Sequence, residues 1–252
     1  MDRSPYLRTF GKDSVPSWIC SSCNAGQLKL LPESLITKWT KESTVVWEEE
    51  GSEPEWIKMV FACVFECSTC KEPYSCTGTG GVEEIQYEGC DGYQQYHEEY
   101  YSPKYFEPSL VLIDLPSNCP DAVLAKLHDS FSLFFADAGA ALNCARASIE
   151  ALLTNLKVNK TEVKKGQRFG LTLHRRIGNL PAKYQHIKDS LMAVKWLGNA
   201  GSHNGKAPTR EDVLDAYDLL EWVLSDLYAN KDKKLKALAR IVNRRKGPVQ
   251  RR

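Results

Sequence analysis

The chain has 252 residues, 42% hydrophobic and 26% charged, with a mean hydropathy of -0.40. That is enough for one large domain or two ordinary ones with a buried core, it excludes a chain disordered throughout, and no apolar run approaches the ~18 residues of a membrane span. The formal charge of +1 conceals two unlike parts: residues 231–252 hold ten Lys or Arg against Asp232 alone, while Glu42 to Glu107 contains fifteen acids and three lysines, so a uniformly basic nucleic-acid surface is excluded.

The opening Met1-Asp2-Arg3-Ser4-Pro5-Tyr6 leads into polar residues rather than an apolar signal segment, which predicts a cytoplasmic protein. In that reducing compartment the nine cysteines read as metal ligands or buried thiols rather than disulfides. Up to about Pro108 the pattern is β-prone. Short stretches (Val45-Val46-Trp47, Ile57 to Phe65, Ile85-Gln86-Tyr87) are interrupted by Gly78, Gly80-Gly81, Gly89 and Gly92, which predicts small antiparallel strands.

Beyond Pro108 the period is helical. Pro120-Asp121 opens a first helix carrying Val123, Leu127, Phe131 and Phe134, and a second runs from Ala138 to Leu156 with Leu142, Ala145, Ile149 and Leu152 on one side. A third short segment, Leu171 to Ile177, is closed by Gly178-Asn179. Pro181 starts a fourth, which is expected to stop near Gly198 in a polar turn. Thr209 with Asp212 forms a capping box before a fifth helix striped by Val213, Leu214, Tyr217, Leu220 and Leu224. Residues 232–245 read as a basic helix or a frayed end. The expected architecture is α+β: a small β-rich zinc-ribbon-like domain over 1–108, an all-α antiparallel bundle over 109–230, and a basic tail over 231–252.

Two Cys-x-x-Cys pairs, Cys20/Cys23 and Cys67/Cys70, each allow a tight turn to aim both thiolates at one ion. Together they supply the four soft donors of a closed, structural Zn²⁺ site. Cys63, Cys76 and Cys90 are alternative ligands or small buried hydrophobes, and Cys119 and Cys144 sit with the helices as structural thiols. In the helical half, Arg146 and Glu150 lie one turn apart, and Lys195, Asn199 and His203 crowd the end of the fourth helix. Two cations on neighbouring helices call for the Glu150 carboxylate between them.

The run Arg146-Ala-Ser-Ile-Glu150, then Ala193-Val-Lys195-Trp-Leu-Gly198-Asn199-Ala-Gly-Ser-His203, then Thr209-Arg-Glu-Asp-Val before a Leu-rich helix, resembles the bacterial domain of unknown function 4145. The segment Tyr101-Ser-Pro103, Phe106-Glu-Pro108, Leu115-Pro116 and the paired cysteines resemble that family's members with a zinc ribbon. The resemblance implies a helical module similar to the HEPN superfamily, sometimes found near phage-defence genes, and a homodimer. Many HEPN members are metal-independent ribonucleases whose paired active sites use an Arg, a polar residue and a His to form a cyclic phosphate. Asn199 and His203 match the polar-residue-to-His spacing, whereas Gly198 stands where the Arg is expected and Lys195 lies one turn earlier. Two functions follow: a zinc-binding, dimerising interaction module with an RNA or protein partner and a role in phage defence or stress, or a ribonuclease using His203 with Lys195 or Arg146, with Asn199 and Glu150 beside them.

Overall fold

The computed structural model describes residues 2–49, 51–89, 92–203, 207–229 and 239–246. It is an α+β fold with an antiparallel sheet and several helices, divided into two compact units. The first gathers Met1–Leu112, His128–Leu142 and Ala207–Leu214; the second gathers Ile113–Leu127, Asn143–Lys206 and Asp215–Arg252.

The first unit is built on a five-stranded sheet. Strands β1 (Leu28–Leu30) and β2 (Ile36–Trp39) both pair with β3 (Lys58–Cys67), followed by β4 (Pro73–Gly89) and β5 (Gly92–Glu107). In β3 every second residue is buried and those between are exposed or half-buried, as one face of a sheet on a core requires. That core is aromatic. The fully buried Trp18 indole lies edge-on to Phe65 at 5.5 Å and to Phe106 at 5.1 Å, and its Nε1 donates to the Pro5 carbonyl at 2.8 Å. Phe10 bridges to Tyr101 through a reciprocal pair of backbone hydrogen bonds, Phe10 N to Tyr101 O at 2.9 Å and Tyr101 N to Phe10 O at 2.7 Å.

Two local expectations are corrected here. Val45-Val46-Trp47 is not a strand but the end of helix α2 (Lys41–Trp47), following the short α1 (Ser4–Leu7). The Thr40 hydroxyl caps α2 by accepting from Ser43 N at 3.2 Å, and the Ser43 hydroxyl accepts from Lys58 N at 2.8 Å. Capping thus outweighs the β propensity of the two valines. Nor do the glycines interrupt small strands: β4 and β5 form one long ribbon running through Gly78, Gly80 and Gly81. A Cβ at Gly78 would stand 2.2 Å from the Ser102 carbonyl oxygen and 2.7 Å from the Phe61 ring, so glycine there admits close approach rather than a turn. Beyond Gly81, β4 pairs only with β5.

Helices α3 (Asp121–Leu133), α4 (Ala138–Asn155) and α5 (Leu173–Gly178) fall where the periodicity places them, as does α7 (Arg210–Tyr228), but the fourth expected helix does not start at Pro181: a 3₁₀ segment over Ala182–Ile187 precedes α6 (Lys188–His203). The capping box forms as expected. Asp212 Oδ2 accepts from Thr209 N at 2.7 Å, and Thr209 Oγ1 accepts from Asp212 N at 3.2 Å. In the second unit Ile149, Leu152, Ile177, Ile187, Leu191, Val223 and Leu224 are buried at the centre. A hairpin absent from the sequence-based expectation, β6 (Thr161–Lys164) with β7 (Gln167–Gly170), turns at Lys165 and Gly166, both at positive φ. Glu162 ties it to α5 through Arg175 Nη2 at 3.0 Å. Of the basic tail, only residues 239–246 are described, with helix over 239–245; the rest of the 231–252 expectation lies outside the described residues. No helix among the described residues is long and apolar enough to cross a membrane.

Candidate metal centre and the helical cluster

The two Cys-x-x-Cys pairs are local copies of one turn. In the first, Asn24 N donates to Cys20 O at 2.9 Å; in the second, Lys71 N donates to Cys67 O at 3.2 Å. The residue after each second cysteine, Asn24 and Lys71, adopts a positive φ of 52° and 66°, which reverses the chain so that both thiols of a pair project to the same side. Backbone N–H groups of Gly26, Thr69 and Cys70 approach sulfur at 3.4 Å, and the Gly26 N–H, followed by that of Ala25, holds the Cys23 thiol below its ordinary value.

Strand pairing brings the turns together. Leu28 lies opposite Cys67 in the β1–β3 register, and Ser68 N donates to Gln27 O at 2.9 Å. The sulfurs of Cys20, Cys23, Cys67 and Cys70 then all lie within 4.8 Å of one another, with Cys20 to Cys70 at 3.6 Å and Cys23 to Cys67 at 3.7 Å. A tetrahedral ion with ~2.3 Å bonds to sulfur needs donors about 3.8 Å apart, so the four cysteines fit a metal ion as they stand. Burial raises the Cys20 thiol, but the Tyr74 hydroxyl and the backbone N–H groups of Cys23 and Ser22 outweigh it and bring it down to about 6. The Glu72 N–H alone would lower Cys70; burial and its three thiol neighbours push it up to about 12 instead. Four crowded thiols cannot all ionise without a cation among them.

Two supporting residues were not singled out in the sequence. Gly26 leaves no room for a side chain, since a Cβ would stand 2.3 Å from Cys67 Sγ. Buried Tyr74, four residues past Cys70, accepts from Ser21 N at 2.9 Å and lies 3.4 Å from Cys20 Sγ. The spacing Cys23-x-x-Gly26 was the available signal for the first; nothing marked the second. Cys63 and Cys76 face each other across β3 and β4, buried and apart from the cluster, and the neighbouring Cys63 thiol, then burial, pushes Cys76 far up. Cys119 is buried and raised to about 11 by that burial, Cys144 is half-buried, and Cys90 lies outside the described residues.

The helical candidates are arranged differently from expectation. α6 does not stop at Gly198 but continues to His203, so Lys195, Asn199 and His203 occupy successive i+4 positions of one helix. Lys195 is 8% exposed, with its ammonium 3.2 Å from the centroid of the Trp196 ring. Asn199 is half-buried, and the His203 side chain lies outside the described residues. Glu150 does not bridge two cations: it is exposed, and no ion pair among the described residues joins it to Arg146 or Lys195. Arg146 is half-buried with its Nε lacking a partner. The cation nearest in effect to Glu150 is Arg176, which sequence reasoning missed. Arg176 is 4% exposed and donates to Glu150 O at 3.3 Å, Thr154 Oγ1 at 3.0 Å and Val158 O at 3.4 Å. Burial lowers its pKa and the Glu150 charge partly restores it. Both residues border a cavity of about 420 Å³ also lined by Lys160 and Thr172.

This is a chain with a sheet-borne Cys₄ cluster able to hold a metal ion and a helical region of separate character. Comparison with known families finds two matches, one over the sheet and one over the helices, the second of which spans parts of both compact units. Residues 8–106 match the family model of the domain of unknown function 8608, and residues 129–245 match that of the domain of unknown function 4145. No curated protein and no solved structure matches the chain.

Proposed function

We propose that the chain is a zinc-stabilised interaction module, in which Cys20, Cys23, Cys67 and Cys70 hold one structural Zn²⁺. The observation that carries this reading is the 3.6 and 3.7 Å sulfur spacing across two equivalent turns, which matches a tetrahedral thiolate site with no position left for substrate. In this reading the chain comprises a zinc-ribbon-like domain over 1–108, a HEPN-like helical domain over 109–230 that dimerises, and a basic tail over 231–252. The family matches at 8–106 and 129–245 support that division. Exposed Trp196, Trp222 and Phe169 supply apolar surface for contact with a second copy or a protein partner. The family resemblance points to bacterial phage defence or stress as the setting.

The non-catalytic form of the proposal is favoured by Lys195. A lysine 8% exposed, with its ammonium held on an indole face, is spent on packing rather than offered to a phosphate. Elemental analysis of chain purified without added metal should find close to one zinc per chain; a well-folded, metal-free chain overturns the proposal. Light scattering on a size-exclusion column should give twice the chain mass, and a monomer at micromolar concentration removes dimerisation from the account. Cleavage of single-stranded RNA to cyclic-phosphate ends, lost in His203→Ala, would replace the reading with the ribonuclease.

A further inference from the structure

A second group of ligand-type side chains lies in the first unit, away from the cysteines. Glu84 and His97 are direct cross-strand partners on the part of the β4–β5 ribbon that no third strand covers. Glu55 comes from a separate segment, the 3₁₀ turn Pro54–Trp56. One donor atom from each of the three lies within 4.8 Å of the other two, and His97 Nε2 is 3.3 Å from Glu55 Oε1. An ion with ~2.0–2.2 Å bonds to nitrogen and oxygen in tetrahedral array sets its donors about 3.3–3.5 Å apart, which is that separation.

The charge balance points the same way. Two carboxylates converge on one imidazole in a stretch, Glu42 to Glu107, with fifteen acids and three lysines. Within the group Gln86 Nε2 donates to Glu84 Oε1 but brings no charge, and on the opposite face of the ribbon Glu83 lies directly across from Glu98, adding like-charge repulsion. A divalent cation relieves this; a lone His–Glu surface pair does so only weakly. Mixed imidazole and carboxylate donors select a borderline transition metal over Mg²⁺ or Ca²⁺.

We propose that Glu55, Glu84 and His97 form a second, exchangeable site for a divalent transition metal, of which Zn²⁺ is the expected occupant. Three protein donors leave one coordination position to water, unlike the closed Cys₄ cluster, and the ion fastens the Pro54–Trp56 turn to the uncovered ribbon. The inference stands apart from the cysteine reading, because it shares no residue with it.

Titration of the full chain with Co²⁺ separates the two. Cobalt on the cysteines gives an intense thiolate charge-transfer band in the near ultraviolet, whereas cobalt on imidazole and carboxylates gives only weak visible bands. The wild type should take up a metal equivalent without the thiolate band. In His97→Ala and Glu84→Gln this event should weaken by about tenfold or more while the thiolate band is untouched, and Cys67→Ser should do the reverse. Calorimetric titration with Zn²⁺ should reproduce the loss, with circular dichroism establishing that the variants fold. Absence of a non-thiolate equivalent in the wild type, or its persistence at full affinity in both folded variants, overturns the proposal whatever the cysteines do.

Discussion

Replacing Cys67 by serine removes one of the four candidate donors and leaves the strand pairing of β3 in place. The Cys67 sulfur lies 3.7 Å from Cys23 Sγ and accepts from the N–H groups of Thr69 and Cys70 at 3.4 Å each. Serine keeps the volume, but its hydroxyl does not ionise, so three thiolates remain. Structural zinc sites supply roughly 10–16 kcal/mol of apparent binding energy, and a quarter of that is about 2.5–4 kcal/mol. At 1.4 kcal/mol per decade the affinity for zinc should fall about 100- to 1000-fold. With the metal in limited supply the same energy is lost from folding, which for a chain of this size lowers Tm by about 5–16 °C. Competition with a chromophoric chelator measures the first quantity and thermal melting with and without chelator the second, with Cys144→Ser as the control that should change neither. Wild-type zinc affinity in Cys67→Ser, or a melting curve of the wild type indifferent to chelator, would refute the reasoning.

Gly78→Ala should destabilise by about 1–3 kcal/mol in denaturant unfolding, because its Cβ would meet the backbone of β5, which cannot swing away as a side chain can. Thr209→Ala should cost about 0.5–2 kcal/mol through loss of the cap on α7. Exposed and unbridged, Glu150 should be replaceable by alanine within about 0.5 kcal/mol, whereas Arg176→Ala, which removes the donor to the buried Val158 carbonyl and to the part-buried Glu150 carbonyl and Thr154 hydroxyl, should cost about 1.5–3 kcal/mol. The Lys164 ammonium and then the Arg175 guanidinium hold Glu162 below its ordinary value of 4.5. Its contribution to stability is therefore present above that value and lost as pH falls through the lower folded value. The unfolding curves of wild type and Glu162→Gln should differ at neutral pH and converge in acid; a constant offset at every pH would contradict this.

The helices were legible because their apolar stripes are long and their caps explicit: Thr209 with Asp212, and Pro120 before Asp121, mark boundaries that local chemistry alone sets. The cysteine cluster was legible for a similar reason, since Cys-x-x-Cys spacing encodes a turn. What the sequence hid depends on partners distant along the chain. Gly78, Gly80 and Gly81 read as punctuation because the residues they make room for, Phe61 and Ser102 at Gly78 and Tyr100 at Gly80 and Gly81, are far away along the chain. α2 contains three β-branched residues, Thr44, Val45 and Val46, and the Thr40 cap with the Ser43 bond to Lys58 settles it as a helix. Gly198 and Gly201 suggested a turn within 195–203, yet the helix continues through them, which changes a loop cluster into one face of α6. The β6–β7 hairpin lacks an Asn-Gly signal, and its four-residue strands are mostly exposed, so no periodicity announces it.

The separation of the two cysteine turns has a topological consequence. Residues 24–66, 43 in all, lie between Cys23 and Cys67, and an ion shared by the two turns makes that stretch a closed ring. In the chain-entropy account, such a cross-link over a ring of this size restricts the unfolded ensemble by about 4 kcal/mol. Because this term grows only logarithmically, doubling the ring would alter it by about 0.6 kcal/mol. The ring holds β1, β2, α2 and nearly all of β3, and its ends are fixed by the metal whatever happens between them. Inserting extra residues after α2, at exposed positions 48 and 49, would therefore lengthen the ring without loosening its closure, giving this unit a place to acquire new surface while its sheet stays as it is.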